Sequence, residues 1–184
     1  ALPICVIVED LNVAADKLKG VTQPTIYRVN ELAARILLSR VYLYMGEWQL
    51  ALDECQKALN LGNVELMDLN SFPGREENRY ILDVENPEII FTQGYSATNV
   101  FYKNISYFTI CSFSCSEELI SLYNSFDDQV IKDLRLNAFF EDNGDEQYRV
   151  SKVGEKVYDC FAIRSVELYL NKAEAEAMLD KVEA

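Results

Sequence analysis

The sequence predicts a mainly α-helical fold of tetratricopeptide-like helical hairpins, with long loops and a small β element. Apolar residues recur at the helical period in several long segments, and two of these segments are joined at a single glycine. Between the helical segments, residues 62–116 carry many turn residues and only short apolar runs. At 184 residues the chain fits one domain, and we interpret residues 1–184 as a single partial domain.

Residues 1–61 are predicted to hold three helices, at about 3–19, 28–45 and 47–61, with the last two joined at Gly46. Small residues in this pair let antiparallel helices approach closely, and a lone repeat leaves an apolar face until a neighbour stacks on it. We expect the first and last helices of the chain to be those neighbours. The residues at tetratricopeptide spacing are Leu38, Ser39, Tyr42, Gly46, Ala51 and Ala58.

The middle of the chain has a different sequence pattern, with loops and short strands predicted in place of long helices. In the loop-rich region 62–116 we predict one short buried strand at 88–93. Residues 117–160 are predicted to form a helix near 116–126, with a capping box of Ser114 and Glu117, and then a β-hairpin. The hairpin is predicted because Asn-Gly lies between two apolar runs. Those runs are 136–140 and 147–153.

The last region, 161–184, is predicted to be a scaffold helix at about 162–182 with two apolar stripes. A helix that is apolar on two faces belongs in a packed array, so we expect partners on both sides and interpret the chain as a piece of a larger protein. One stripe is Val166, Tyr169, Leu170, Ala173 and Ala177; the other is Leu168, Ala175 and Leu179.

Composition excludes several classes of function. The chain has 30 acidic and 17 basic residues, a formal net charge of -13, which argues against binding to nucleic acid or an anionic membrane. It has no histidine, so histidine-based triads, histidine general bases and most zinc sites are excluded. No apolar run reaches about 18 residues. The five cysteines are predicted to be free thiols, with Cys55 packed as a small hydrophobe.

Four segments carry a specific resemblance. Residues 161–177 (FAIRSVELYLNKAEAEA) resemble the AIR-x-x-E-x-Y-L-x-x-AEA signature of the SusD/RagB family, the outer-membrane glycan-capturing lipoproteins of the Bacteroidetes. Residues 33–51 (AARILLSRVYLYMGEWQLA) look like the family's helical hairpin, and 86–91 (NPEIIF) are similar to its N-x-E-x-I-F strand. Residues 116–123 (SEELISLY) followed by 133–135 (DLR) look like its S-x-E-L-x-x-L-Y and D-x-R pair. The four occur in the family's order.

The resemblance implies a SusD-like α-α superhelix and a non-catalytic function. The expected function is glycan binding at the surface of the outer membrane, with delivery to a TonB-dependent SusC-like transporter. Neither an enzyme activity nor a cofactor is implied, and membrane attachment would use a lipidated N-terminal cysteine outside this chain. The alternative is a tetratricopeptide-type scaffold that binds proteins through a helical groove.

Aromatic and amide side chains alternate in the loop-rich region. Sugars bind by stacking their C–H faces on aromatic rings, while amide side chains hold the neighbouring hydroxyls. We therefore predict a ligand-binding set here; the open alternative is that these rings anchor a long loop to the core. The family's ligand contacts vary with the glycan and transfer no fixed motif. The predicted residues are Tyr95, Asn99, Phe101, Tyr102, Asn104 and Tyr107, with Phe108 beside them.

Other chemistry-bearing residues are given structural roles. Trp48 is in register with the apolar face of its helix, so core packing is expected. Glu117 and Glu118 suit a helix N-terminus and are not assigned to catalysis. The acidic segment 141–146 lacks EF-hand spacing and is interpreted as a solvated hairpin tip, so no metal site is predicted.

Two arginines, Arg135 and Arg164, lie in the family-like motifs between apolar neighbours. An arginine in such a position is usually held by a carboxylate. We expect both to form structural ion pairs, with Glu167 or Asp133 as partners.

Overall fold

The helices and strands follow the predicted order. A computed structural model describes residues 3–71, 81, 86–92, 115–124, 133–142, 148–150 and 162–180. These residues divide into two compact units: 3–66 with 87–92 and 162–180, and 67–71 with 81, 86, 115–124, 133–142 and 148–150. The elements are α1 (Ile4–Leu18), α2 (Glu31–Met45), α3 (Trp48–Asn60), β1 (Ile89–Thr92), α4 (Glu117–Asn124), α5 (Arg135–Phe139), β2 (Phe140–Asp142), β3 (Tyr148–Val150), β4 (Ala162–Arg164) and α6 (Ser165–Met178).

The start of α2 is set by its cap. Asn30 has extended backbone angles (φ -113°, ψ 173°), and its side-chain oxygen accepts a hydrogen bond from the Ala33 N–H at 2.8 Å. This satisfies one of the amide groups that have no partner inside the helix. The helix therefore begins at Glu31, three residues after the predicted start, whereas α1 and α3 lie within one residue of their predicted bounds.

The turn between α2 and α3 depends on a left-handed glycine. Gly46 has φ +74° and ψ 13°, and its N–H donates to the last carbonyls of α2. A side chain at this φ is strained, although a Cβ would make only ordinary contact with the Trp48 ring at 3.7 Å.

We expect Gly46→Ala to lower the free energy of unfolding by about 1–2 kcal/mol, because alanine must adopt the left-handed conformation. Urea denaturation followed by circular dichroism would measure this change. Gly46→Asn is the matched control, since asparagine tolerates that conformation better and should lose less. Equal losses for both variants would contradict a conformational cause.

In the first unit, α2 is the central helix and packs against α1, α3 and α6. Leu168 of α6 shares an apolar cluster with Ile36, and Ala175 shares the next cluster with Tyr42. The later residue of α2 therefore contacts the later residue of α6, which means that the two helices run parallel. The main buried apolar residues of this core are Leu32, Ala33, Ile36, Leu38, Ala51, Cys55, Ala58, Leu168 and Ala175.

A buried polar contact joins three of these helices. The Asn171 side-chain amide donates to the Ser39 hydroxyl at 3.0 Å, and that hydroxyl donates to the Ile36 carbonyl at 2.7 Å. The Cys55 side chain is also hydrogen-bonded to Ser39. Burial raises the pKa of the Cys55 thiol. Cys55 is fully buried, as predicted, and Cys5, Cys55 and Cys115 are free thiols among the described cysteines.

The segment 162–164 differs from the prediction, which placed it in the last helix. It forms strand β4 and pairs antiparallel with β1, with Phe91 opposite Ile163 and Thr92 opposite Ala162. The backbone at Arg164 is extended (φ -117°, ψ 151°), so α6 starts only at Ser165. The Ser165 N–H donates to the Glu88 carbonyl at 2.9 Å, which ties this helix start to the turn before β1.

The two predicted stripes of α6 have different environments. Leu168 and Ala175 are fully buried against the array, together with the nearly buried Asn171. Tyr169 and Leu170 are exposed, and the exposed fraction of Leu170 is 64%. Of the two faces expected to have partners, one is buried within the described residues and the other faces solvent.

The second unit contains α4, α5 and an antiparallel hairpin of β2 and β3 that pairs Phe140 with Val150. The hairpin prediction is confirmed, but residues 136–139 belong to α5 because the Ala138 N–H donates to the Leu134 carbonyl at 3.2 Å. The predicted capping residue Ser114 lies outside the described residues. Within them, the hydroxyl of Ser116 accepts a hydrogen bond from the Leu119 N–H at 3.2 Å.

Across the described ranges, no helix combines the length and the apolar character that a membrane span requires.

Candidate functional site

The predicted aromatic ligand-binding set lies outside the described residues. Tyr95, Asn99, Phe101, Tyr102, Asn104 and Tyr107 all fall between β1 and α4, in the part that the structure does not describe. Their assignment therefore stays a prediction. Two other arrangements are described in full: a polar–aromatic cluster in the second unit and a cavity in the first.

The polar part of the cluster is an arginine held by a carboxylate two residues before it. The Arg135 Nε donates to both oxygens of Asp133, at 2.9 and 3.1 Å, and Nη2 donates to Oδ2 at 2.6 Å. The backbone N–H of Arg135 also donates to Asp133 Oδ1 at 3.0 Å. The side chain is fixed from two directions, so its guanidinium plane has a defined orientation. The predicted Arg135–Asp133 pair is confirmed.

The aromatic part lies beneath that guanidinium. The Arg135 guanidinium carbon is 5.4 Å from the centroid of the Tyr123 ring, within the range of cation–π attraction. Tyr123 in turn packs on the buried Phe140 with ring centroids 5.2 Å apart and planes inclined at 58°. We call the surface formed by Tyr123, Asp133 and Arg135 the arginine platform.

Charge on the platform is internally compensated. Hydrogen bonds from Arg135 hold the pKa of Asp133 below its usual value, and the hydrogen bond to Asp133 raises the pKa of Arg135. The phenol of Tyr123 also acts electrostatically on Arg135, so the two groups are close. The Arg135 side chain is 55% exposed, and therefore the platform presents oriented polar groups to solvent.

Tyr123 was not predicted to belong to this group. The tyrosine ends the segment SEELISLY and is half-buried. Its contact with Arg135 spans twelve residues of sequence, and no local pattern connects them. The only available signal was that both residues lie in adjacent motifs of the family-like pattern.

The first unit contains a cavity of about 550 Å³ between the end of α1, the start of α2, the end of α3 and β1. Its size suits a small ligand. Among the described lining residues none is aromatic, so a sugar ring would have no stacking surface there. The polar lining residues are Thr22, Gln23, Thr25, Asn30, Glu31 and Asn63.

Most of the hydrogen-bonding side chains that line this cavity already have partners within the protein. The Gln23 amide donates to the Val29 carbonyl at 2.9 Å, and Asn30 caps α2. Glu31 accepts two hydrogen bonds from Arg35, at 2.9 and 2.7 Å. The cavity therefore offers few free hydrogen-bonding groups, and we assign its polar residues to structure.

Arg35 is the centre of a largely buried charge cluster. Besides Glu31, it binds Glu54 of α3 through Nη1 at 2.9 Å, and Lys57 binds the other oxygen of Glu54 at 2.5 Å. Burial acts to lower the pKa of Arg35, but its hydrogen bonds and charge interactions with Glu31 and Glu54 outweigh that effect, so the pKa is raised. The cluster fastens α2 to α3 and is structural.

The ion pairs of the last helix differ from the prediction. Arg164 pairs with Glu88 at 3.6 Å, not with Glu167. Glu167 instead accepts two hydrogen bonds from Arg40, at 2.6 and 2.5 Å, and these join α6 to α2. The predicted partner of Arg164 was wrong because residue 164 lies on β4 opposite Ile89, which places it beside Glu88, whereas Glu167 is bound by Arg40 of α2.

Glu117 and Glu118 are exposed in the first turn of α4, where the helix dipole stabilises a negatively charged side chain. Within the described ranges no three acidic or cysteine side chains converge in a way that could hold a metal ion.

Solved structures with similar folds come from Bacteroides. A proposed sugar-binding protein of Bacteroides vulgatus superposes with a TM-score of 0.72 and 24% identity, over 97% of this chain and 41% of that chain. A SusD-like carbohydrate-binding protein of the same species gives 0.70 and 18%, over 97% and 40%. A SusD superfamily protein of Bacteroides thetaiotaomicron gives 0.64 and 24%, over 96% and 43%. These likenesses confirm the fold that the four motifs predicted.

The extent of the likeness is asymmetric. Nearly the whole chain is matched, yet it spans only about two fifths of the length of these solved proteins. No protein-family model matches the sequence, and no curated protein is significantly similar to it.

Proposed function

We infer that this chain, which has the fold of the SusD-like proteins, belongs to a glycan-binding protein of the SusD/RagB family that acts without catalysis. The single observation that supports this most is the superposition over 97% of the chain on structures named as sugar- or carbohydrate-binding proteins. The four ordered motifs support it independently of that superposition, because they were read from sequence alone.

The family resemblance extends the proposal to partners and place. We propose that the complete protein sits at the outer surface of the outer membrane, attached by a lipidated N-terminal cysteine. It would deliver its glycan to a TonB-dependent SusC-like transporter. Association with such a transporter of the same bacterium, measured after detergent extraction, tests this part; recovery of the protein from the cytoplasm would contradict it.

The binding surface that we propose is the aromatic segment between β1 and α4. Its rings can stack on the C–H faces of sugars, and its asparagines can bind the flanking hydroxyls. Its length is also typical of a functional loop, because long segments without apolar periodicity seldom occur in compact proteins for structural reasons alone.

In the complete protein, we expect the double substitution of Tyr102 and Tyr107 by alanine to weaken polysaccharide binding at least about tenfold, since two stacking surfaces are lost. Isothermal titration calorimetry with the best polysaccharide of a screened panel measures the affinity. Thermal unfolding serves as the control and should change little. A large fall in melting temperature with unchanged binding would instead assign both residues to the core.

A protein-binding scaffold is the second candidate, favoured by the hairpin of α2 and α3. Gly46, Ala51 and Ala58 occupy the small positions of a tetratricopeptide repeat, and Tyr44 beside the turn is 83% exposed. This function predicts regular repeats at a constant period in the complete protein. Binding of polysaccharide with irregular insertions between repeats would decide against it.

A further inference from the structure

One end of the helical array in the first unit exposes a group of large apolar side chains. The array ends at the turn between α2 and α3, and Val8 of α1 packs there against the cluster that joins Tyr42 to Ala175 of α6. The start of α1 and the end of α6 therefore lie at this same end. Each exposed residue is within about one helical turn of that cluster. We call them the turn-end surface: Ile4, Ile7, Tyr44, Met45, Leu50 and Met178.

The turn-end surface has the composition of a protein interface. The exposed fraction is 83% for Tyr44, 54% for Met178 and 44% for Leu50. Single exposed apolar residues are ordinary, but a contiguous group of them is typical of a binding surface, and tyrosine and methionine are enriched in interfaces. The turn beneath is preformed, because the Gly46 and Glu47 N–H groups donate to carbonyls of α2 at 3.0 Å. A preformed surface loses little entropy on binding.

The charges around this surface have one sign. Six exposed acidic residues are described at this end of the first unit. The two basic residues described there, Arg40 and Lys172, are already paired with Glu167 and Glu176. The border of the turn-end surface is therefore acidic and not compensated by the described part of the chain. The six residues are Glu9, Asp10, Glu47, Asp53, Glu174 and Asp180.

Apolar and acidic groups are closest together at the start of α3. Leu50 is three residues from both Glu47 and Asp53, and residues at this spacing are neighbours on a helix surface. All three are exposed, and Tyr44 is three residues before Glu47 on the other side of the turn. A ligand that covers Leu50 therefore also meets two carboxylates.

This acidic border decides between the possible occupants of the surface. A second copy of the chain would bring two acidic borders together, and an anionic membrane would be repelled. A protein face with an apolar centre and a border of lysine or arginine is complementary in both respects.

We propose that the turn-end surface docks a partner protein whose contact face is apolar with a basic border. Tyr44 and Leu50 supply the central apolar contact, and Glu47 and Asp53 face the basic groups of the partner. This function goes beyond glycan binding and does not depend on it.

The probe for this surface is a short amphipathic helical peptide of leucine and lysine, labelled with fluorescein and titrated with the complete protein by fluorescence anisotropy. The same peptide with glutamate in place of lysine is the charge control. We expect the double substitution Tyr44→Ser with Leu50→Ser to weaken binding of the basic peptide about tenfold or more, because the apolar centre is lost. Glu47→Lys with Asp53→Lys should weaken it about fivefold or more.

Matched variants elsewhere separate a local surface from general stickiness and net charge. Leu170→Ser removes a side chain of α6 that is 64% exposed and lies away from the turn. Glu117→Lys with Glu118→Lys changes the net charge as much as the reversal at Glu47 and Asp53, but at exposed positions of α4. Both controls should bind the basic peptide within twofold of the wild type.

Each outcome supports or overturns the proposal. Binding of the basic peptide that is weakened by the turn-end variants and not by the controls supports it. No binding, equal binding of the acidic peptide, or equal losses in the controls overturn it. A wild-type dimer in sedimentation that Tyr44→Ser with Leu50→Ser dissociates would assign the surface to a second copy. A fall in melting temperature of about 5 °C or more in that variant would mean that the protein's own chain covers the surface. Either result also overturns the proposal.

Discussion

Replacing Leu168 by alanine is expected to lower the free energy of unfolding by about 3 kcal/mol or more. The side chain is 0% exposed and lies in the cluster that joins α2, α3, α6 and β1, so its removal leaves a cavity that a rigid array fills poorly. The loss combines the apolar transfer term with the missing contacts of the cavity wall. Chemical denaturation monitored by circular dichroism measures it.

Leu170→Ala is the control for that measurement. Leu170 lies on the same helix two residues further on and is 64% exposed, so the same atoms are deleted without a buried cavity. Its stability should stay within about 0.5 kcal/mol of the wild type. Similar losses for both leucines would mean that the outer stripe of α6 is also buried in the folded protein, contrary to the structure.

Arg35→Met is expected to cost about 3–5 kcal/mol, because it removes the only cation that contacts Glu31 and one of two that contact Glu54 among the described residues. Both carboxylates are nearly buried, and an uncompensated buried charge is far more costly than the pair is stabilising. Denaturation at pH 7 gives the magnitude. Arg40→Met is the control in the same helix: its side chain is 41% exposed, so a loss of about 1 kcal/mol or less is expected.

Local patterns predicted most of the helices. The period of apolar residues located α1 and α3 to within one residue, because that period reflects which face of a helix meets the core. The bounds of α2 and α6 were less accurate. Helix α2 begins later than predicted because Asn30 caps it. Residues 162–164 form a strand because they pair with β1. Both effects depend on hydrogen bonds whose geometry the apolar period does not record.

The candidate sites divide in the same way. The Arg135–Asp133 pair was predictable because only one residue separates them, and a fork of this kind forms locally. The contact of Arg135 with Tyr123 could not be predicted from local sequence. The same holds for the pairing of Arg164 with Glu88 in place of Glu167. Each brings together residues that are distant in sequence, and each depends on how two helices or turns pack.

The sequence by itself determined the helical hairpin at Gly46, the class of fold and the two apolar stripes of α6, since these follow from local propensity and periodicity. Only the tertiary structure decided which stripe is buried. Leu168 and Leu170 have the same chemistry, and the difference between them is whether α2 and α3 lie against the side chain. Burial is a property of the partner as much as of the residue, and the parallel packing of α2 and α6 supplies that partner.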